Sequence, residues 1–144
     1  MRLPDGSTIG ALVVTNAVGN VIGRDGRILA GVRDEAGAFV DASALLLAGP
    51  PPESVPPSGT NTTLAVVATD ATLDRAQCSR LAAQAHDALA LAISPVHTVL
   101  DGDAVFALST ARMPAPDGLG GLLSLGAAAV ETLRTAIERS VADP

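Results

Sequence analysis

The sequence predicts an α/β protein in which apolar strands form a sheet that is covered on both faces. Two observations support this fold class. From residue 62 onward, strongly β-forming runs alternate with helical patterns in the order strand, helix, strand, helix. The two strands of that series, at 64–70 and 104–110, are nearly continuous apolar runs, which is typical of strands buried on both faces.

The first third of the chain is predicted to add strands and turns to this unit. The run TIGALVVTNAV at 8–18 is apolar and rich in β-branched residues, so it predicts a buried strand. A turn at 19–20 leads to a short partner strand at 21–22, and the charged, glycine-rich stretch 23–37 predicts surface turns. The short apolar segment 42–47 fits either a helix or a strand.

A proline-rich segment separates these elements from the strand–helix series. It runs AGPPPESVPPSG over residues 48–59 and has five prolines in twelve residues, so its backbone must be extended or irregular. Such a composition is typical of a linker. Its position is less usual for a linker, because it ends directly against the first strand of the series.

Two long amphipathic helices follow from the spacing of the apolar residues. The first spans 72–93, with Thr72 as its N-cap and Asp74 near the positive end of the helix dipole. A Ser-Pro pair then ends this helix. The second helix spans 122–141.

The composition limits the core and suggests a partner. At 144 residues the chain is one domain or a piece of one. Hydrophobic residues make up 48% and the mean hydropathy is +0.39, yet there are two Phe and no Trp or Tyr, so the core is built from small side chains. So much small apolar surface predicts a further buried interface, and we expect a homo-oligomer or a complex rather than a monomer. Polar residues interrupt every apolar run well before about 18 residues, so no membrane span is expected.

Charge and residue usage exclude several classes of function. The net charge of −6 and the pI near 4.6 argue against nucleic-acid binding. All nine basic residues are Arg, so a Schiff-base lysine and a P-loop lysine are excluded within this chain. No cofactor is expected, because the early glycines do not match the dinucleotide fingerprint, and His86 and His97 share no metal-ligand spacing. Cys78 is the single cysteine and cannot form an internal disulfide, which is compatible with a cytoplasmic protein.

Three threonines mark the junction between the proline-rich segment and the strand at 64–70, in the run Thr60-Asn61-Thr62-Thr63. They fit plain β-branched packing at the start of a buried strand. They also fit a nucleophile that becomes a new N-terminus when the chain is cut, with its own amine as the base. An α-amine has a pKa of about 7.7–8.0, so a fraction is neutral at physiological pH and accepts the hydroxyl proton without help from Lys or His.

The second interpretation agrees with a resemblance that spans nearly the whole chain. The runs TTLAVVATDA at 62–71 and DGDAVFALST at 101–110 resemble the DmpA-like L-aminopeptidase/D-esterase family, which includes β-aminopeptidases and has the ornithine acetyltransferases as fold relatives. The helical segment at 77–82 and the early runs at 3–6 and 10–13 fit as well. The resemblance implies an α/β/β/α sandwich and a precursor that cleaves itself to free a Ser or Thr as the N-terminal nucleophile.

The nucleophile implied by the resemblance is Thr62, with cleavage between Asn61 and Thr62. Residues 1–61, including the proline-rich loop 48–59, would then be the end of a first subunit, and residues 62–144 would be the second. Family members usually have Gly before the nucleophile. Thr60 follows a glycine in this sequence and therefore remains the second candidate.

The resemblance also implies three supporting residues. Asp101 and Asp103 match the acidic pair that orients the nucleophile and its amine, although an Asp-Gly turn between helix and strand is the alternative. Asn16 matches an asparagine whose side-chain amide donates to the oxyanion, with a strand-end turn residue as the alternative. His97 is a candidate for the border of the substrate pocket, and we expect His86 to cap a helix face.

Together these matches imply a hydrolase that releases N-terminal residues from small peptides or amides through an acyl-enzyme at Thr62. Two alternatives stay open, a non-catalytic remnant that acts as a structural subunit and an acyltransferase like the ornithine acetyltransferases. Family precursors have a long region before the strand at 8–18. We therefore expect this chain to correspond to the C-terminal portion of such an enzyme.

Overall fold

A computed structural model of the chain describes residues 1–49 and 61–142, and it has the predicted α/β fold class. Within the described residues there are six strands and four helices. In chain order they are β1 (Ile9–Val14), β2 (Asn20–Ile22), β3 (Ile28–Ala30), α1 (Ala42–Ala48), β4 (Leu64–Ala71), α2 (Arg75–Ala85), α3 (Asp87–Ala92), β5 (Ile93–Ser94), β6 (Ala104–Met113) and α4 (Gly118–Ser140).

The main sheet has the strand order β1-β4-β6, so β4 is its central strand. β1 pairs with β4 antiparallel, and β6 pairs with β4 parallel. Parallel neighbours need a crossover connection, which α2 and α3 provide between β4 and β6. Because β4 and β6 are parallel, both strands begin at the same edge of the sheet, and the residues just before each strand meet there.

The core lies between one face of this sheet and the helices. Ile9 and Val67 on the sheet pack with Leu89 on α3 and with Leu133 and Ile137 on α4, and all five side chains are fully buried. Burying a Leu, Ile or Val side chain contributes about 1.5–3 kcal/mol, so these side chains stabilise the packing of the helices on the sheet.

The opposite face of the same sheet is exposed within the described residues. Side chains alternate along each strand, so the second set points away from the helices. Leu12 is 70% exposed, Val14 65% and Phe106 62%, and Leu64 and Leu108 are also exposed. The expectation of a sheet covered on both faces is therefore wrong for the residues that the structure describes. The strands read as fully apolar because this second face is apolar too.

A small second sheet has the order β3-β2-β5. It confirms the short strand expected at 21–22. The stretch 23–37, expected to contain only turns, also contains β3, which pairs with β2. The segment 42–47, which fitted either a helix or a strand, lies in helix α1. Its N-cap Asp41 accepts hydrogen bonds from two backbone N–H groups of the first turn.

The helix expected at 72–93 differs from the prediction at both ends and in the middle. It begins at Arg75, because Asp74 is the N-cap and forms a capping box with Gln77. Thr72, the expected N-cap, instead donates its hydroxyl to the Met113 carbonyl. The helix breaks at His86, and Ile93 leaves it to pair with β2.

The other predicted boundaries shift by a few residues. The strand expected at 8–18 ends at residue 14, and the helix expected at 122–141 starts earlier, as α4. The prediction of irregular backbone at 48–59 is wrong for Ala48, the last residue of α1, and residues 50–59 lie outside the described part. Among the described residues, the structure has no helix with the length and apolar character needed to cross a membrane.

Candidate active site

Thr62 lies two residues before the central strand, beside the end of β1. The antiparallel pairing of Val14 with Leu64, continued by two residues, puts Asn16 opposite Thr62. The hydrogen bonds agree, since the Thr62 backbone N–H donates to the Asn16 backbone carbonyl over 2.8 Å. The sheet ladder thus extends one step past β1 and fixes the nitrogen of the Asn61–Thr62 peptide bond.

The other neighbour of Thr62 is the Asp-Gly-Asp segment before β6. Asn61 and Asp101 form a parallel bridge, which continues the register of the β4–β6 pair. The Gly102 backbone N–H donates to the Asn61 carbonyl oxygen over 3.0 Å, as an ordinary parallel ladder bond would. Asn16, Thr62 and Gly102 therefore lie in one row across the edge of the three-stranded sheet.

The Thr62 hydroxyl is directly beside the peptide bond that precedes it. Its Oγ1 donates to the Asn61 carbonyl oxygen over 2.6 Å, so this oxygen receives two hydrogen bonds, one from Thr62 and one from Gly102. A Cβ added at Gly102 would lie 3.0 Å from the Thr62 Oγ1. Glycine at this position leaves the hydroxyl its space and provides a backbone donor for the carbonyl.

Asp103 contacts the residue that follows Thr62. Its side chain is 3% exposed, and its Oδ1 accepts a hydrogen bond of 2.8 Å from the Thr63 backbone N–H. Its Oδ2 lies 2.8 Å from the Nδ1 of His97. A buried carboxylate is stable only when hydrogen bonds replace its hydration, and both Asp103 oxygens have such a bond.

Asp101 has a different environment from Asp103. Its Oδ1 accepts a hydrogen bond of 3.2 Å from the Val18 backbone N–H, and its Oδ2 accepts two from Thr98, one from the N–H and one from the hydroxyl. These bonds tie the loop after β1 to the loop before β6. Asp101 therefore supports the loop that carries Asn16, whereas Asp103 contacts Thr63, which lies between Thr62 and the start of β4.

Thr62 and Thr63 face opposite sides of the sheet. Thr63 has the same parity as the buried core residues Ala65 and Val67, is fully buried, and its Oγ1 has no hydrogen-bond partner among the described residues. Thr62 has the parity of Leu64 and therefore belongs to the exposed face of the sheet. The two interpretations of the threonines in the sequence thus apply to different residues. Thr63 is a packing residue, and Thr62 is the residue whose hydroxyl is placed beside a peptide bond.

The structure brings together the residues that the resemblance implied. Asn16, Asp101 and Asp103 lie around Thr62, although the described contact of Asn16 with Thr62 uses its backbone carbonyl. The oxyanion role of its side chain stays a prediction, as do the catalytic roles of the other three. Thr60, the second candidate for the nucleophile, lies outside the described residues.

Sequence reasoning missed the backbone donor of Gly102 and the specific contact of His97. The signal for Gly102 was present, because the DGD segment precedes a strand that is parallel to the strand after Thr62. The pocket-border role expected for His97 stays a prediction, and its ring binds Asp103 and stacks on His86, with centroids 4.5 Å apart. His86 lies where α2 meets α3. In residues 1–49 and 61–142, no group of three or more His, Cys, Asp or Glu side chains is arranged to hold a metal ion.

Comparison with known proteins connects this arrangement to a family. The sequence pattern of peptidase family S58 matches residues 2–143. The chain belongs to peptidase family S58. This assignment confirms the resemblance to the DmpA-like aminopeptidases. Relatives in the family include an uncharacterized aminopeptidase of Mycobacterium leprae, 45% identical over 117 residues, and one of Mycobacterium tuberculosis, 39% identical over 157 residues.

A more distant relative is the 6-aminohexanoate-oligomer endohydrolase of Paenarthrobacter ureafaciens, 29% identical over 132 residues. The alignments cover 80%, 94% and 88% of this chain, but only 32%, 44% and 37% of the three relatives. The chain thus spans less than half the length of the curated relatives it matches. Among solved structures, a β-aminopeptidase of a Burkholderia species is similar with a TM-score of 0.45 and 22% identity, over 97% of this chain and 43% of that one.

The buried Thr63 hydroxyl gives a stability prediction. Thr63→Val removes a hydroxyl that has no partner and keeps the side-chain shape, so we expect the free energy of unfolding to rise by about 1 kcal/mol. Thr69→Val is the matched control, because the buried Thr69 hydroxyl donates to Thr8 and accepts from the Ala71 N–H. We expect this control to lose about 1–3 kcal/mol in urea denaturation. Equal losses in both variants would mean that the Thr63 hydroxyl has a partner.

Proposed function

We propose that this chain is an N-terminal-nucleophile hydrolase that cleaves itself between Asn61 and Thr62. It then releases N-terminal residues from small peptides or amides through an ester on Thr62. The observation that carries this proposal is the 2.6 Å hydrogen bond from the Thr62 hydroxyl to the Asn61 carbonyl, in a chain that belongs to peptidase family S58. Within this chain, the cleavage would separate residues 1–61 from residues 62–144.

Self-cleavage begins when the Thr62 hydroxyl turns from the Asn61 carbonyl oxygen to the carbon bonded to it. A bond forms between the Thr62 Oγ1 and the Asn61 carbonyl carbon, and negative charge develops on the Asn61 carbonyl oxygen. The Gly102 N–H already donates to that carbonyl oxygen and would stabilise the charge. The C–N bond between Asn61 and Thr62 then breaks, and the hydroxyl proton ends on the Thr62 nitrogen. Water hydrolyses the resulting ester, which leaves a carboxylate on Asn61 and a free hydroxyl and amine on Thr62.

In turnover the new amine would be the base for its own hydroxyl. The Asn16 carbonyl, which accepts the Thr62 N–H before cleavage, would hold the amine so that its lone pair faces the hydroxyl. Asp103 fixes the next residue through the Thr63 N–H, so the nucleophile cannot swing away from the sheet when the chain is cut. In this scheme the side-chain amide of Asn16 stabilises the oxyanion of the acyl-transfer step.

The substrate class follows from the relatives. Two of them are named aminopeptidases, and a third is named an endohydrolase of 6-aminohexanoate oligomers, so all three names refer to amide-bond hydrolysis. These names support a small peptide or amide as the substrate of this chain. The exposed sheet face next to Thr62 is a separate feature, an apolar surface that a covering layer would bury.

That exposed face also favours a second candidate function, a structural subunit without catalysis. A sheet with Leu12, Val14 and Phe106 more than half exposed has an apolar surface that normally belongs to an interface. A chain whose only task is to complete a layered assembly would keep this face and would not need a reactive Thr62. Self-cleavage separates the two candidates.

The cleavage prediction concerns Thr62 itself. We expect purified protein to separate into fragments 1–61 and 62–144 on incubation, as measured by intact mass, with Thr62 as the new N-terminus. Thr62→Ser should still cleave because it keeps the hydroxyl, while Thr62→Ala should stay as one chain. A new N-terminus at Thr60 would correct the register, and an uncut wild-type chain after prolonged incubation would favour the structural subunit.

A second prediction concerns Gly102. In Gly102→Ala the new Cβ would lie 3.0 Å from the Thr62 Oγ1 and displace the hydroxyl by a few tenths of an ångström, while the backbone donor stays. We expect self-cleavage to slow by about 10–100-fold, because the rate of attack depends steeply on the position of the Thr62 Oγ1 relative to the Asn61 carbonyl carbon. Gly10→Ala is the control, since no atom lies within 4 Å of its added Cβ. Wild-type cleavage rates in Gly102→Ala would contradict the proposed attack geometry.

A third prediction concerns assembly. We propose that the exposed sheet face is covered by a second copy, so light scattering at micromolar concentration should give a mass above the 14.3 kDa of one chain. Phe106→Ser should lower that mass, whereas Leu47→Ser, which changes an exposed residue of α1 away from this sheet, should not. A stable monomer of wild-type protein would be the opposite result. A cytoplasmic location stays a prediction from the single cysteine.

A further inference from the structure

Two histidines form a stack next to the candidate active site without a role in the scheme above. The rings of His86 and His97 lie parallel within 1°, with centroids 4.5 Å apart. His86 lies at the break between α2 and α3, and His97 lies in the loop between β5 and β6. The side chain of His97 is 39% exposed, so burial in the core does not explain its position.

His97 is held in a backbone conformation that residues with a side chain rarely adopt. Its φ is +54°, in the left-handed region where Cβ crowds the following carbonyl. Such a conformation persists when surrounding contacts fix it. Two contacts do so here: the stack on His86 and the 2.8 Å contact between Nδ1 of His97 and Oδ2 of Asp103.

Asp103 connects His97 to the central strand. One carboxylate oxygen contacts the His97 ring, and the other accepts from the Thr63 N–H over 2.8 Å. The carboxylate is planar and buried, so the orientation of one oxygen determines that of the other. If His97 were lost, the Oδ2 atom would lack a donor in a site with little access to water. The carboxylate would then turn toward solvent and loosen its bond to Thr63.

We propose that His97 is a positioning residue for the nucleophile: through its Nδ1–H it orients the Asp103 carboxylate, which holds the Thr63 N–H and thereby the backbone of Thr62. This inference rests on the proposed nucleophile, although the hydrogen-bond relay itself does not depend on catalysis. The contact series runs from the helix break at His86, through His97 and Asp103, to the start of β4.

Two substitutions of His97 separate positioning from a general effect on folding. His97→Ala removes the ring and its donor. His97→Asn removes the ring but keeps an N–H donor at the same distance along the side chain as Nδ1, and Asn tolerates φ > 0 better than most residues. Val99→Ala is the control for the loop, because Val99 is 95% exposed.

The first measurement is the rate of self-cleavage of the full 144-residue chain, followed by intact mass. We expect His97→Ala to slow cleavage by about 10–100-fold, His97→Asn to recover most of that loss, and Val99→Ala to match the wild type. Urea denaturation checks that all samples are folded. Unchanged cleavage in His97→Ala, or equal slowing in His97→Ala and His97→Asn, would overturn the inference.

The second measurement does not require cleavage. Hydrogen exchange is followed in the uncut Thr62→Ala background at the Thr63 amide, with the Val67 amide as the reference further along β4. Adding His97→Ala should speed exchange at Thr63 by about tenfold or more relative to Val67, and His97→Asn should restore protection. If His97→Ala leaves the exchange rate of the Thr63 amide unchanged, the proposed link from His97 through Asp103 to Thr63 is refuted. An uncut wild-type chain with a responding Thr63 amide would instead refute only the proposed function.

Discussion

The pairing of β4 with its two neighbours is the constraint on which the candidate site depends. The ladder continues past the last strand residues on both sides, so the Asn16 carbonyl holds the Thr62 nitrogen and the Gly102 N–H holds the Asn61 oxygen. Both polar groups of the Asn61–Thr62 peptide bond, its carbonyl oxygen and its N–H, are thereby fixed by hydrogen bonds. Because these bonds belong to the sheet, the site needs no separate scaffold, and a one-residue slip of either partner would dismantle it.

The alternation of side chains in β4 continues into the two residues before it and gives the adjacent threonines separate tasks. Thr63 points into the core and anchors the strand, while Thr62 points to the exposed face beside the bond that it would attack. The two residues of the acidic pair also have separate tasks, set by their hydrogen-bond partners. Asp103 is buried and bonds to the strand, and Asp101 bonds to the loops on either side.

The alternation of apolar runs and helical spacing was enough to predict the fold class, and the run of threonines before β4 located the candidate site. Propensity could not show that the helix after β4 breaks at His86, because that break depends on where β5 must pair. It also could not show that one sheet face is exposed, since apolar strands look alike whether or not something covers them. The Gly102 donor depends on parallel register, which is a tertiary property.

The most direct test of the central claim is to trap the ester that attack by Thr62 would form. Hydroxylamine cleaves esters and captures the acyl group as a hydroxamic acid. Wild-type protein incubated with hydroxylamine should release fragment 1–61 faster than without it, with a hydroxamate on Asn61 by mass spectrometry. The Thr62→Ala chain, treated in parallel, should release nothing. Release of the same fragment from both chains would show that the bond breaks without the Thr62 hydroxyl, and would contradict the account.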